Sequence, residues 1–168
     1  YLKLIINPND DVSFRRVVNT PTRGIGKGVL DSLEQADLSG PSADAPPLMA
    51  AGLYDTTERR SLWARAGYVL RERRLTARAH GALKGFVDLI AGLSLISQDR
   101  TVAEVIEQML EKSGYFHDLK EERSEEARDR LENLAELVSA AREYELRDDA
   151  ASLGGFVDRL SLLSEADE

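Results

Sequence analysis

The sequence predicts an all-α protein, an orthogonal bundle of several helices, and three observations carry that prediction. Apolar residues recur at helical spacing along most of the chain, no segment alternates polar and apolar long enough for a strand, and several breaks fall at Asn, Pro or Gly. Tyr1 to Ile6 reads as the end of a helix, broken by Asn7-Pro8-Asn9. Asn9 or Asp10 can then cap a helix that turns Phe14, Val17 and Val18 inward. Ile25, Val29, Leu30 and Leu33 have the spacing of the next helix, and Ser39 to Pro47, rich in Gly, Pro, Ser and Ala, reads as a linker. Leu62, Ala66, Val69 and Leu70 mark another helix, followed by Phe86, Leu89, Ile90 and Leu93. Val102, Val105, Ile106, Met109 and Leu110 form a strong stripe that Gly114 ends. Two more follow, Leu131, Leu134, Leu137, Val138 and Ala141, then Phe156, Val157, Leu160 and Leu163.

The most informative segment is NTPTRGIGK, Asn19 to Lys27. Pro21 fixes φ, while Gly24 and Gly26 permit positive φ and close approach of another molecule to the backbone. With the apolar spacing that follows, Gly24 to Lys27 sits at a helix N-terminus, where free amides make an anion site. Arg23 and Lys27 bracket it with cations suited to nucleic-acid phosphate. The alternative is a glycine-bearing helix entry with basic neighbours of no consequence, since short Gly-x-Gly runs are common.

These residues also carry a resemblance. The run YLKLIINPNDDVSFRRVVNTPTRGIGK, Tyr1 to Lys27, resembles the opening of the 2B subdomain of the UvrD/PcrA group of superfamily 1 DNA helicases. The likeness returns in order at LTARAHGALKGFVDLI (Leu75 to Ile90), RLENLAELV (Arg130 to Val138) and FVDRLSLLSEADE (Phe156 to Glu168), and Arg-Gly-Ile-Gly favours UvrD/PcrA over the Rep branch. Nothing in residues 39–60 matches that pattern, so the stretch is expected to be a loop insertion. The resemblance implies a single helical domain over residues 1–168, inserted into motor subdomain 2A, with Tyr1 and Glu168 near the same side. It also implies that Thr20, Arg23, Gly24, Ile25, Gly26 and Lys27 grip duplex DNA near a junction. The parent would be a cytoplasmic 3′-to-5′ helicase acting in unwinding and repair. Its ATP and magnesium would belong to the 1A, 1B and 2A parts.

Composition bounds the remainder. With 168 residues and 42% hydrophobic content the chain is long enough for one core. It has no cysteine, which excludes disulfides, thiolate metal sites and cysteine nucleophiles and is compatible with a reducing cytoplasm. No apolar run approaches the ~20 residues of a membrane span, so no membrane is expected as a partner. Tyr1 in place of Met suits an excised piece.

The net charge of −8 argues at first against a polyanion. Its distribution points the other way. Residues 1–30 hold five Lys/Arg against two Asp/Glu, residues 55–84 eight against three, and residues 99–168 nine against twenty. Screening beyond about 8 Å at physiological salt lets a basic patch act locally. Arg59 to Arg74 lacks a motif and reads as a solvated basic face.

Catalytic chemistry is not expected in the isolated chain. Gly24, Gly26 and Gly28 are too closely spaced for a nucleotide phosphate loop, and Lys27 is followed by Gly28 where Ser or Thr is needed. His80 and His117 lack partners at metal-ligand spacing. Glu121, Glu122, Glu125 and Glu126 read as a hydrated helix face, and Trp63 and Tyr68, which could stack on bases, as core aromatics. Neither cofactor nor metal is therefore expected here. Two functions remain open: a duplex-binding regulatory module of a helicase, or a helical interaction module whose acidic half docks a repair or transcription partner while the glycine turn is purely structural.

Overall fold

The computed structural model describes residues 1–36 and 61–166, so the expected linker and the insertion at 39–60 lie outside the described residues. Among the described residues the regular structure is entirely helical. The helices are α1 (Leu2–Ile6), α2 (Asp11–Val17), α3 (Lys27–Glu34), α4 (Leu62–Arg71), α5 (Ala77–Asp99), α6 (Val102–Lys112), α7 (Tyr115–Glu122), α8 (Glu125–Arg147) and α9 (Leu153–Ala166). The chain divides into two compact units. One is Pro8–Asp88; the other joins Tyr1–Asn7 to Leu89–Glu168.

The Pro8–Asp88 unit is built on short capped helices. Asp10, rather than Asn9, caps α2, its Oδ1 accepting from Ser13 N at 3.0 Å. Asn9 serves α4 instead: its Oδ1 accepts from Ser61 Oγ at 2.7 Å, and Ser61 in turn caps α4 by accepting from Ala64 N at 3.1 Å. Asp11 Oδ1 accepts from Leu62 N at 2.8 Å, which ties the start of α4 to the start of α2. At the other end of α3, Arg65 Nη1 donates to the carbonyls of Leu33, Glu34 and Ala36, at 3.3, 2.5 and 3.2 Å. A cation there complements the negative end of the helix dipole. The unit's buried side chains include Phe14, Val18, Ile25, Val29, Leu33, Leu62, Ala66, Val69, Leu83 and Phe86. The rings of Phe14 and Phe86 meet edge to face at 5.4 Å. Val17 and Leu70, expected inward, are half-buried, because Val18 and Val69 take the core positions of their turns.

The other unit has its core in α6, every inward position of which is buried: Val102, Val105, Ile106, Met109 and Leu110. A capping box between Thr101 and Glu104 starts this helix, and Glu145 accepts a further bond from Val102 N. Gly114, at φ 79°, ends it as expected. Ala141, Tyr144, Leu153 and Phe156 join the core, and α1 packs against α9. The α8 stripe from Leu131 to Val138 is only half-buried, and Leu163 is 60% exposed, so helical spacing overstates how much of both helices is covered. Helix α5 departs from the expectation that no segment is fit for a membrane span. Over 23 residues it is long and apolar enough to cross a membrane by length and composition only, and 22% of its most apolar window is buried. Lys84 and Asp88 pair at 2.5 Å on an exposed face of it.

Candidate nucleic-acid interface

The turn from Asn19 to Lys27 is organised by its first side chain, whose role the motif alone does not reveal. Asn19 Oδ1 accepts from Arg23 N at 2.8 Å and from Ile25 N at 3.1 Å. One carboxamide oxygen thus holds two alternate amides, a short-range device that Asn supplies in turns. The consequence is geometric. Ile25 is driven into the core at 1% exposure, while Gly24, Gly26, Lys27 and Gly28 lie at the surface. Gly24 sits at φ 80°, a conformation that favours glycine. Gly26 does not: its φ of −91° and ψ of −173° are open to any residue, and a Cβ there would meet nothing within 4 Å. What Gly26 supplies is a bare backbone.

Gly26 is also the N-cap of α3, and no side chain caps that helix. Two other helices, α1 at Tyr1 and α7 at Gly114, also start without a side-chain cap, whereas four are capped. Asp10, Ser61, Thr101 and Ser124 each cap a helix with a side-chain oxygen. At α3 the amides of Lys27 and Gly28 meet no acceptor among the described residues, and the helix has no acidic residue in its first turn. Lys27 is exposed and forms no ion pair among the described residues. Orphan amides, a positive helix end and a lysine form one anion-attracting edge.

The two cations flanking the glycines differ in kind. Arg23 Nη1 donates to Val17 O at 3.2 Å and Pro21 O at 3.1 Å, and its guanidinium lies 5.7 Å from the centroid of the Phe86 ring. Arg23 therefore fastens the turn to the unit beneath it. Thr20 is exposed, with its N–H donated to Val17 O at 3.0 Å. Of the aromatics considered for base stacking, Tyr68 has a ring face covered by Arg74, 5.0 Å from its centroid, and Trp63 is half-buried. Among the described residues no group of three or more His, Asp or Glu is placed to hold a metal. His80 is half-buried and His117 exposed.

Comparison with known proteins gives the geometry its context. No family model matches the chain. It is 35% identical over 153 residues to DNA helicase II of Salmonella typhimurium and, over the same length, to DNA helicase II of Escherichia coli; each match takes in 91% of the chain and 19% of the relative. It is 29% identical over 168 residues to the ATP-dependent DNA helicase PcrA of Bacillus subtilis, covering the whole chain and 20% of that protein. The chain thus spans about a fifth of the length of these relatives, and its homologues are the DNA helicase II and PcrA helicases, of which it matches one helical portion.

Proposed function

We propose that this chain is the 2B-type subdomain of an ATP-dependent 3′-to-5′ DNA helicase and that it binds duplex DNA near a junction and regulates unwinding. The observation that carries the reading is the uncapped start of α3, where the amides of Lys27 and Gly28 and the Lys27 ammonium share an exposed edge beside bare Gly24 and Gly26. Such an edge binds phosphate without reading bases, which is what a translocating enzyme needs from its duplex grip. Within the set Thr20, Arg23, Gly24, Ile25, Gly26 and Lys27 the work divides. Gly24, Gly26 and Lys27 present the contact, with Thr20 at its margin; Ile25 and Arg23 hold the turn in shape.

The insertion of this module into motor subdomain 2A is part of the same proposal, supported by the packing of α1 against α9 within one unit. ATP, magnesium and hydrolysis belong to the 1A, 1B and 2A parts of the parent, whose place is the bacterial cytoplasm and whose task is unwinding in repair. Titration of labelled duplex with the chain tests the grip. Affinity should fall with salt at about −0.9 in log K per log salt for each phosphate neutralised, and Lys27→Ala should flatten that slope by about one contact. An unchanged slope makes the turn purely structural and returns the chain to the interaction-module reading. DNA-stimulated ATP hydrolysis by the chain alone would refute the assignment outright.

A further inference from the structure

The outer face of α6 borders a cleft of about 430 Å³, lined by Ile96 of α5, Arg100 of the turn that follows it, and Glu104, Glu107, Gln108 and Lys112 of α6. All six residues belong to the unit that contains Leu89–Glu168. Five of the six are polar or charged, so the cleft is not shaped for an apolar small molecule.

Its polar groups are unequally occupied. Glu104 is engaged through both oxygens: Oε2 accepts from Thr101 N at 3.1 Å in the capping box, and Oε1 faces Arg100 Nη1 at 3.9 Å. Glu107 Oε1 accepts from Arg142 Nη2 of α8 at 2.5 Å. The half-buried carboxamide of Gln108 has no hydrogen bond among the described residues, and the exposed ammonium of Lys112 has no ion pair among them. Arg100 has only its long contact to Glu104, which leaves most of the guanidinium fork open. Both acids are therefore answered from within the unit. What the cleft offers outward is a cation at each end with a carboxamide between them.

That pattern selects a peptide. Gln108 can donate to a peptide carbonyl and accept from a peptide amide, and half-buried Ile96 gives an apolar side chain a place to rest. From Arg100 to Lys112 is about 18 Å at helical rise, a distance that about five residues of extended chain cover. A helix, about 10–12 Å across, is too wide for so small a cleft. A nucleic-acid strand fits worse still, because its unbroken row of phosphates would lie against Glu104 and Glu107 in a stretch with nine cations and twenty acids.

We propose that this cleft docks an extended segment of a protein partner, about five residues long, with an acid at each end and an apolar residue between. The docking does not rest on the glycine turn, and the duplex grip stands or falls by its own titration.

The test uses fluorescein-labelled pentapeptides with leucine at the centre, serine on either side of it, and aspartate, serine or lysine at both ends. By anisotropy the aspartate-ended peptide should bind the chain saturably and at least about tenfold more tightly than the lysine-ended one. Gln108→Leu should weaken it by about two- to tenfold for each hydrogen bond lost. Lys112→Glu should weaken it at least about tenfold and make a peptide with lysine at one end the preferred ligand; Lys112→Gln, milder for the last turn of α6, should give the loss without the reversal. Arg15→Gln, an equal loss of charge at a residue paired with Glu34 in the other unit, should change nothing. No saturable binding up to about 1 mM overturns the proposal. So do equal affinities for the three peptides, or an Arg15→Gln effect equal to that of Lys112→Gln. Displacement of the peptide by single-stranded DNA, with DNA affinity lost in Lys112→Glu, would give the cleft to nucleic acid and overturn it equally.

Discussion

Gly26→Val and Gly24→Val should separate backbone access from backbone strain, because the two glycines of one motif are there for different reasons. Gly26 has extended backbone and open space where a side chain would go, so valine fits without strain. Replacing glycine reduces the freedom of the unfolded chain, a gain of about 0.4–1 kcal/mol, which offsets the poorer helix cap that valine makes. Stability should change by less than about 1 kcal/mol. Gly24 at φ 80° is different: any side chain in the left-handed region costs about 1–2 kcal/mol, and a β-branched one more. Binding should weaken in both. A charge-assisted hydrogen bond to a phosphate is worth about 1.5–3 kcal/mol, so blocking the α3 amides should lower affinity at least about tenfold. Since no charge changes, the salt slope of Gly26→Val should match the wild type while the affinity at every salt concentration falls. Urea denaturation and fluorescence anisotropy on the same preparations supply both numbers. Undiminished duplex affinity in a stably folded Gly26→Val would show that no phosphate approaches those amides.

Other substitutions address the supports of the turn. Asn19→Ala removes the acceptor of two amides, at 2.8 and 3.1 Å, and should destabilise by about 1–3 kcal/mol in urea titration. Arg23→Ala loses bonds to Val17 O and Pro21 O and the Phe86 ring, so it should lower both stability and duplex affinity; Arg23→Lys should restore the charge without restoring the stability, because one ammonium cannot reproduce the fork. Phe86→Ala empties a fully buried site and should cost about 3–5 kcal/mol, read as a lower urea midpoint.

The helices were legible because their signals are local. The apolar stripes of α2, α4 and α6 stand in the sequence much as they work in the structure, Asp10 caps α2, and Gly114 stops α6 where it should; the caps Ser61 and Thr101 went unread. What was not legible depends on neighbours far along the chain. Asn9 looks like a helix cap for its own segment, yet it bonds Ser61, 52 residues on. Leu163 has core spacing but stands exposed, and α7 is too short and too charged for its stripe to announce a helix. At the candidate site the sequence singled out the glycines and both cations as candidates. It could not say that Arg23 faces inward to carbonyls while Lys27 faces out, because both are merely basic in a linear reading. Asn19 was within reach, since an Asn leading into a glycine turn is a known backbone acceptor.

The division of charge yields a prediction that simple phosphate counting does not. In the Pro8–Asp88 unit the described residues carry ten Lys/Arg against six Asp/Glu, whereas residues 99–168 carry nine against twenty. At about 0.15 M salt the screening length is about 8 Å, so only charges close to the bound DNA act on it strongly. At about 0.01 M it reaches about 30 Å, and acidic residues well beyond direct contact should then repel the duplex. Counterion release alone gives a straight line of log K against log salt. For this chain the line should bend, becoming shallower below roughly 0.03 M, where the screening length approaches about 20 Å. Reversing part of the acidic face tests the cause: Glu121→Lys, Glu122→Lys and Glu126→Lys together should straighten the low-salt limb while leaving affinity at about 0.15 M nearly unchanged. A wild-type line straight down to about 0.01 M would mean that the acidic half never opposes the grip. A triple variant that binds far more tightly at about 0.15 M would place the acidic face directly against the DNA.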